Sequence, residues 1–453
     1  MAKEINMNIK KCNYKLTNLY YGLVFSGYVL TLVINGFRSG VFAALLMALI
    51  AAITGIFAIK SDTKSDFISL INVCVFAYII YNFFSFVWIM KNGFPLSVFV
   101  EEFSNSVLPA VFYFVPALII KTEADDIEKE KITDSIYKAF LVAFTIFSII
   151  SIILYIAAPQ FYCDYLFNMS FISKADASTC RVRMEGFTGS TSISYLGVAA
   201  MLVSARFMYK YASLLSVNKT NDKNKNNGDT LKQFIIYSAL FVFSLIVVFL
   251  ANGRAGMVAA LLVIVYINIL VFSVFRFADR KYLYIEAGAI IALIVILCII
   301  TPSVVSKIWA RLVSLPGAIG QRSEQWVSAI NNMYGQWFGN GLGANGHKAI
   351  GIEGAKVVAD GGLVKLYCEE GALGFSLFAF IILVIVRQSF KDLKKYFSEL
   401  GIIMTALLMS IGSNIIAFQL CMPIFYFALG VIGADVNGNA KEKEELKEEN
   451  KCG

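Results

Sequence analysis

Apolar residues arrive in blocks. Runs near twenty residues recur along the chain, parted by short polar segments, and inside a run no regular wet face interrupts the apolar side chains. Such a run suits a helix surrounded by lipid, because about 20 residues span a hydrocarbon layer of about 30 Å. The pattern predicts twelve helices, near 18–36, 41–59, 67–90, 102–120, 138–157, 191–213, 233–251, 256–275, 283–300, 363–386, 400–418 and 421–434. Backbone in lipid must satisfy itself, so the predicted fold is all-α, a polytopic integral membrane protein. One membrane domain covers 1–435, and 436–453 forms a charged tail. The first apolar run is a full span with no small-residue cleavage site after it, so no removable signal is expected.

Composition supports this. Hydrophobic residues make up 58% and charged residues 15%, against about 25% charged in soluble domains. The net charge of +8 reads as orientation rather than nucleic-acid binding. Lysine and arginine concentrate in alternate loops such as "IKSDTKSD", "KTEADDIEKEKIT", "NKTNDKNKNN", "RFADRK" and "RQSFKDLKK". The positive-inside rule then puts both termini in the cytoplasm and two long loops, 158–190 and 301–362, outside.

Inside, the cations are mostly lysine. Outside, half are arginine: Arg38, Arg181, Arg183, Arg254, Arg311 and Arg322. Topology needs no arginine there. The guanidinium is a permanently charged planar fork that matches phosphate and carboxylate. Single arginines of this kind pair with acids or anchor to headgroups. A set spread over several external segments points to an anion site.

Those segments carry further signals. "CRVRMEGFTGSTSISYLG" sets Arg181 and Arg183 before a glycine-containing approach to a span. "ANGRAG" sets Arg254 at the joint of two spans, where glycines permit close approach. "WARLVSLPGAIGQRSEQWVSAINNMYGQWFGNGLGANGHKAIG" carries Arg311 and Arg322 on two short amphipathic helices broken at Pro316-Gly317, then a glycine-rich loop holding His347. The loop follows no strand, so it is no nucleotide fingerprint. In "DGGLVKLYCEEGALGFSLF", Asp360 suits a helix cap and Glu369 a pair with Lys365. Acids at a membrane boundary are also marks of function. Of eight cysteines, none has metal-ligand spacing. Cys74, Cys298, Cys368 and Cys421 read as packing residues, while Cys163 and Cys180 share an external loop where a disulfide could form.

Arg-x-Arg ahead of a span, an N-G-R-A-G joint, Gly320-x-Arg322…Trp326, "GNGLG" and L-x-x-L-x-x-E-x-G-x-x-G, in that order, resemble the O-antigen ligase and polymerase family (Wzy/WaaL-like) over about 180–386. The resemblance implies a glycosyltransferase of the membrane-embedded C type. Its donor would be an undecaprenyl-diphosphate-linked oligosaccharide, used at the outer face of the bacterial cytoplasmic membrane with no cofactor and no metal. Arg254 and Arg322 match the family's functional arginines, and Arg181 or Arg183 that of the earlier loop. Asp360 is the first choice as catalytic base, ahead of His347 and Glu369; Arg311 joins the diphosphate- and glycan-binding set. Ligases carry histidine eleven residues before the glycine of E-x-G. Here that place is Asp360, which favours a polymerase over a ligase acting on lipid A core. Implied partners are membrane lipid, a flippase and a chain-length regulator, with no nucleic acid. A lipid-linked oligosaccharide transporter is the rival from another class, expected to hold charges in mid-span cavities and to show paired repeats.

Overall fold

A computed structural model describes residues 70–114, 116, 126–157, 183–184, 189–220, 227–275, 306, 309–310, 313, 315–358 and 360–434. These residues are helical or irregular, with no strand among them. The helices are α1 (Leu70–Phe84), α2 (Phe86–Lys91), α3 (Leu96–Glu102), α4 (Asp126–Ala157), α5 (Ser190–Thr220), α6 (Asn227–Ala251), α7 (Arg254–Ile269), α8 (Leu315–Asn331), α9 (Gly362–Lys391), α10 (Leu393–Gly412) and α11 (Met422–Ala434). Six stretches are long and apolar enough to cross a membrane: Leu70–Lys91, Thr133–Ala157, Ser190–Ser216, Gly228–Ala251, Arg254–Phe275 and Gly362–Lys391. The expected spans 18–36, 41–59 and 283–300 lie outside the described residues. The span expected at 102–120 starts earlier, with α3, and continues as a π turn over Phe103–Val107 and a 3-10 turn over Leu108–Ala110. Pro109 in that turn lacks the N–H that a continuous helix needs.

Burial runs against hydropathy. The segment Arg254–Phe275 has mean hydropathy 2.8 and is 22% buried, whereas Ser190–Ser216 has 1.3 and is 83% buried. The reason is side-chain size. Apolar association gains little from a lipid solvent, so close packing falls to helices with small residues. α5 carries Ser192, Ser194, Gly197, Ala199, Ala200 and Ser204, all of them buried. A Cβ at Gly197 would lie 2.6 Å from Val248 of α6. α5 packs on α6, α7, α4 and α10, and forms the centre of the bundle.

About 24 Å along α5 from its start, Arg206 is buried in an ionic clamp. Its Nη1 donates to Glu399 of α10 at 2.8 Å, and its Nε to Asp134 of α4 at 3.3 Å. Tyr137 and Ser398 also donate to Glu399, at 3.0 and 2.7 Å, while Lys210 holds the other oxygen of Asp134 at 2.5 Å. Removing the centre leaves Glu399 charged and fully buried. We predict that Arg206→Leu costs about 3–5 kcal/mol, read as a lower Tm in detergent and reduced accumulation. A wild-type melting curve would show that the clamp contributes nothing.

Candidate anion site at the loop end of the bundle

At the opposite end from the clamp, three segments converge. The first is the joint between α6 and α7. Asn252 takes a left-handed φ of 50°, which turns the chain sharply, and α7 opens on Arg254. Asparagine tolerates that conformation better than most residues. The amide of Met184 donates to the carbonyl of Leu250 at 3.0 Å and so docks the preceding residue, Arg183, at the same joint. The glycines here serve helix packing: a Cβ on Gly256 would collide with Ser194 at the start of α5.

The second segment is α8. Arg322 and Trp326 are one turn apart and share a face, and both reach Asp360. The guanidinium donates through Nε (3.1 Å) and Nη2 (2.6 Å) to Oδ2 of Asp360, and the indole Nε1 donates to the Asp360 carbonyl at 2.5 Å. This contact explains the Arg-x-x-x-Trp spacing.

The third is the Asp-Gly-Gly turn. Gly361 has φ +130°, and a side chain there would run into the Trp326 indole. Gly362 N–H donates to the Ser413 carbonyl at 2.9 Å and the Asn414 amide to the Val358 carbonyl at 3.0 Å, which fixes the turn on the end of α10. Asp360 is therefore not the helix cap that its position suggests. Gly361 is the N-cap of α9, and the Asp360 carboxylate orients Arg322 instead.

The charges of Arg322, Arg183 and Asp360 all act on the Arg254 guanidinium. Among these four groups three are guanidinium and one is a carboxylate. The site is partly open, with the Arg322 and Asp360 side chains 19% and 43% exposed. Among the described residues no three histidine, cysteine or carboxylate side chains group as metal ligands do.

The glycine-rich loop belongs to a different device. α9 breaks at Gly371, whose φ and ψ are 67° and −172°. In an unbroken helix the carbonyls of Cys368 and Glu369 would accept from Ala372 and Leu373. Here Asn340 N–H donates to Cys368 O (2.8 Å) and Gly341 N–H to Glu369 O (2.9 Å). In return Ala372 N–H donates to Gln336 O (2.8 Å) and Leu373 N–H to Trp337 O (3.1 Å). The loop replaces, bond for bond, what the break removes. Its remaining amides are also engaged: Leu342 with Ser85, Gly343 and Asn345 with the Glu369 carboxylate, and Gly339, Ala344 and Gly346 with carbonyls of the segment itself. A phosphate cradle needs free N–H groups, and none from Gly339 to Gly346 is free.

Other candidates from the sequence separate from the arginines. Glu369 is 2% exposed; it holds the loop amides and lies 3.7 Å from Lys365, which also pairs with Glu102 of α3. His347 is exposed and begins a 3-10 turn just past the loop. Arg181 and Arg311 lie outside the described residues, as do Cys163, Cys180 and Cys298; Cys74, Cys368 and Cys421 are free thiols, the last two buried. α8 runs from Leu315 through Pro316 and Gly317 to Asn331, so the break expected at Pro316-Gly317 is not there; proline is tolerated in a helix's first turn, and Trp309 before α8 is 68% exposed. Trp326 has no signal in the sequence beyond its motif, and Ser413 and Asn414 have none. The glycine inside an otherwise helical run at 371 was a signal that could have revealed the break.

No protein-family model and no curated protein matches this chain.

Proposed function

We propose that the protein is a twelve-helix, C-type glycosyltransferase. It polymerises undecaprenyl-diphosphate-linked oligosaccharide repeat units into a surface polysaccharide at the outer face of the bacterial cytoplasmic membrane. The observation that carries this reading is the convergence of Arg183, Arg254 and Arg322 from three separate segments on one partly open site, with Asp360 as counter-charge. Breaking a glycosidic bond to a lipid diphosphate develops negative charge on the leaving oxygen. Preorganised guanidinium groups beside a bilayer stabilise it by about 3–4 kcal/mol per donor. Asp360 has one oxygen occupied twice by Arg322. The other, Oδ1, is the acceptor available to an incoming sugar hydroxyl, which would transfer its proton there as it attacks the anomeric carbon with inversion. The cytoplasmic placement of both termini belongs to the same proposal.

The break in α9 and the acids beside it favour a second reading, transport, because broken helices often form transport sites. Against it, the freed backbone groups on both sides of the break are taken up by the Gln336–Gly341 segment, so the break closes a joint.

The deciding experiment gives purified protein only lipid-linked repeat units, with a chelator present. Elongation is expected. If nothing lengthens until lipid A core is supplied, the ligase reading replaces this one; movement of lipid-linked units across the bilayer without elongation would favour transport. In the same assay Asp360→Asn should slow elongation by about 100-fold or more while undecaprenyl diphosphate still binds through Arg183 and Arg254. Normal elongation by Asp360→Asn would remove Asp360 from the chemistry.

A further inference from the structure

Glu370 precedes the break in α9 and is 1% exposed. Tyr78 of α1 donates to its Oε1 at 2.6 Å, and Tyr81 donates to its carbonyl at 2.5 Å. Its other carboxyl oxygen, Oε2, has no hydrogen-bond partner. Asn82, fully buried on α1, faces the same carboxyl. Its amide nitrogen gives one of its two hydrogens to the Tyr78 carbonyl at 3.1 Å, and its Oδ1 has no hydrogen-bond partner. Neither Oε2 nor Oδ1 meets a donor within hydrogen-bond geometry, and a buried acceptor left so loses its full desolvation penalty.

Among the described residues the one cation that acts on this carboxyl, Lys365, is engaged by other carboxylates. Tyr78, Tyr81 and, from α11, Tyr426 are phenols. Lys365 and Glu369 lie on the same helix, and Lys365 is already shared between Glu102 and Glu369. Three carboxylates thus face one ammonium. The space beside Oε2 is filled by chain: a Cβ on Gly374 would lie 3.1 Å from Oε2 and 2.5 Å from the Tyr81 ring. A single hydrogen on Oε2 resolves both orphaned oxygens and the missing counter-charge together.

We propose that Glu370 is a proton-binding site: its carboxyl is kept neutral, and the proton on Oε2 is donated to Oδ1 of Asn82, fastening α1 to the break in α9. The inference is independent of the proposed transferase activity.

The test uses full-length protein in detergent. Glutamine reproduces a neutral acid, donating to Asn82 and accepting from Tyr78, so Glu370→Gln should accumulate and melt with wild type. Glu370→Ala and Asn82→Leu should both melt lower. The infrared spectrum of wild type at neutral pH should contain a protonated-carboxyl stretch that moves on isotope labelling of glutamate and is missing from Glu370→Gln. The proposal is overturned if that band is missing from wild type, or if Glu370→Gln is as unstable as Glu370→Ala. It is equally overturned if wild-type melting rises with sodium or potassium and Glu370→Gln loses the rise, for then a metal cation occupies the place of the proton.

Discussion

Alanine at Arg254 or Arg322 is expected to abolish long glycan chains while the protein still accumulates in the membrane. The backbone of each arginine is placed by packing independent of the side-chain charge: Arg254 by the turn at Asn252 and the fit of Gly256 on Ser194, Arg322 by the helix whose Trp326 grips the Asp360 turn. Truncation therefore removes charge from the site and leaves the scaffold standing. A loss of one donor aimed at a developing oxyanion is worth about 100- to 1000-fold in turnover. Lysine should rescue poorly, and worse at 322 than at 254. At 322 the side chain donates through two nitrogens to one Asp360 oxygen, which a point charge cannot reproduce. The measurement is chain length on gels beside membrane protein level. Normal ladders in both alanine variants would return these arginines to headgroup anchoring.

The largest effect on stability should come from Gly371→Ala or Gly339→Ala. The two residues meet backbone to backbone. A Cβ at 371 would strike the Gly339 nitrogen and lie 2.5 Å from the Trp337 carbonyl oxygen, and a Cβ at 339 would strike the Glu369 carbonyl and lie 2.5 Å from the Gly371 nitrogen. Neither side can yield, since both strands of the contact are held by the four exchanged hydrogen bonds. Both also have positive φ, 67° and 72°, disfavoured for alanine. The combined penalty should exceed about 4 kcal/mol, the range reached by disrupted buried networks. Neither variant should accumulate as folded protein by size-exclusion chromatography in detergent. Gly320→Ala, on open helix surface with no atom within 4 Å of the added Cβ, is the control and should behave as wild type. A well-folded Gly371→Ala protein would mean that α9 can close its own hydrogen bonds and that the loop is dispensable.

Much of the site was legible because its motifs are local. Arg322 and Trp326 lie one turn apart, and Asp360 stands directly before two glycines, so their chemistry could be read without knowing that they meet. The choice between Arg181 and Arg183 was not legible from the residues. The structure places Arg183 at the joint through one hydrogen bond, Met184 to Leu250, between segments far apart in the chain, while Arg181 lies outside the described residues. The contact of Asp360 with Arg322 was not legible for the same reason. Its place before a helix suggests a cap, and only α8, arriving from nearly forty residues away in sequence, turns the carboxylate toward Arg322.

The apolar blocks by themselves determined that this is a helical membrane protein. Desolvating an unpaired backbone is so costly that a run of twenty apolar residues has few other solutions. They did not determine which helix is central. In lipid, apolar side chains gain little from meeting one another, so hydropathy does not order the bundle. Packing does, and it favours the serine-, glycine- and alanine-rich α5 over the more apolar α7. Nor could periodicity reveal that "GNGLGANG" repairs a break in α9. That pairing joins backbone groups some thirty residues apart, and backbone groups leave no trace in a side-chain pattern except the glycines that let them touch.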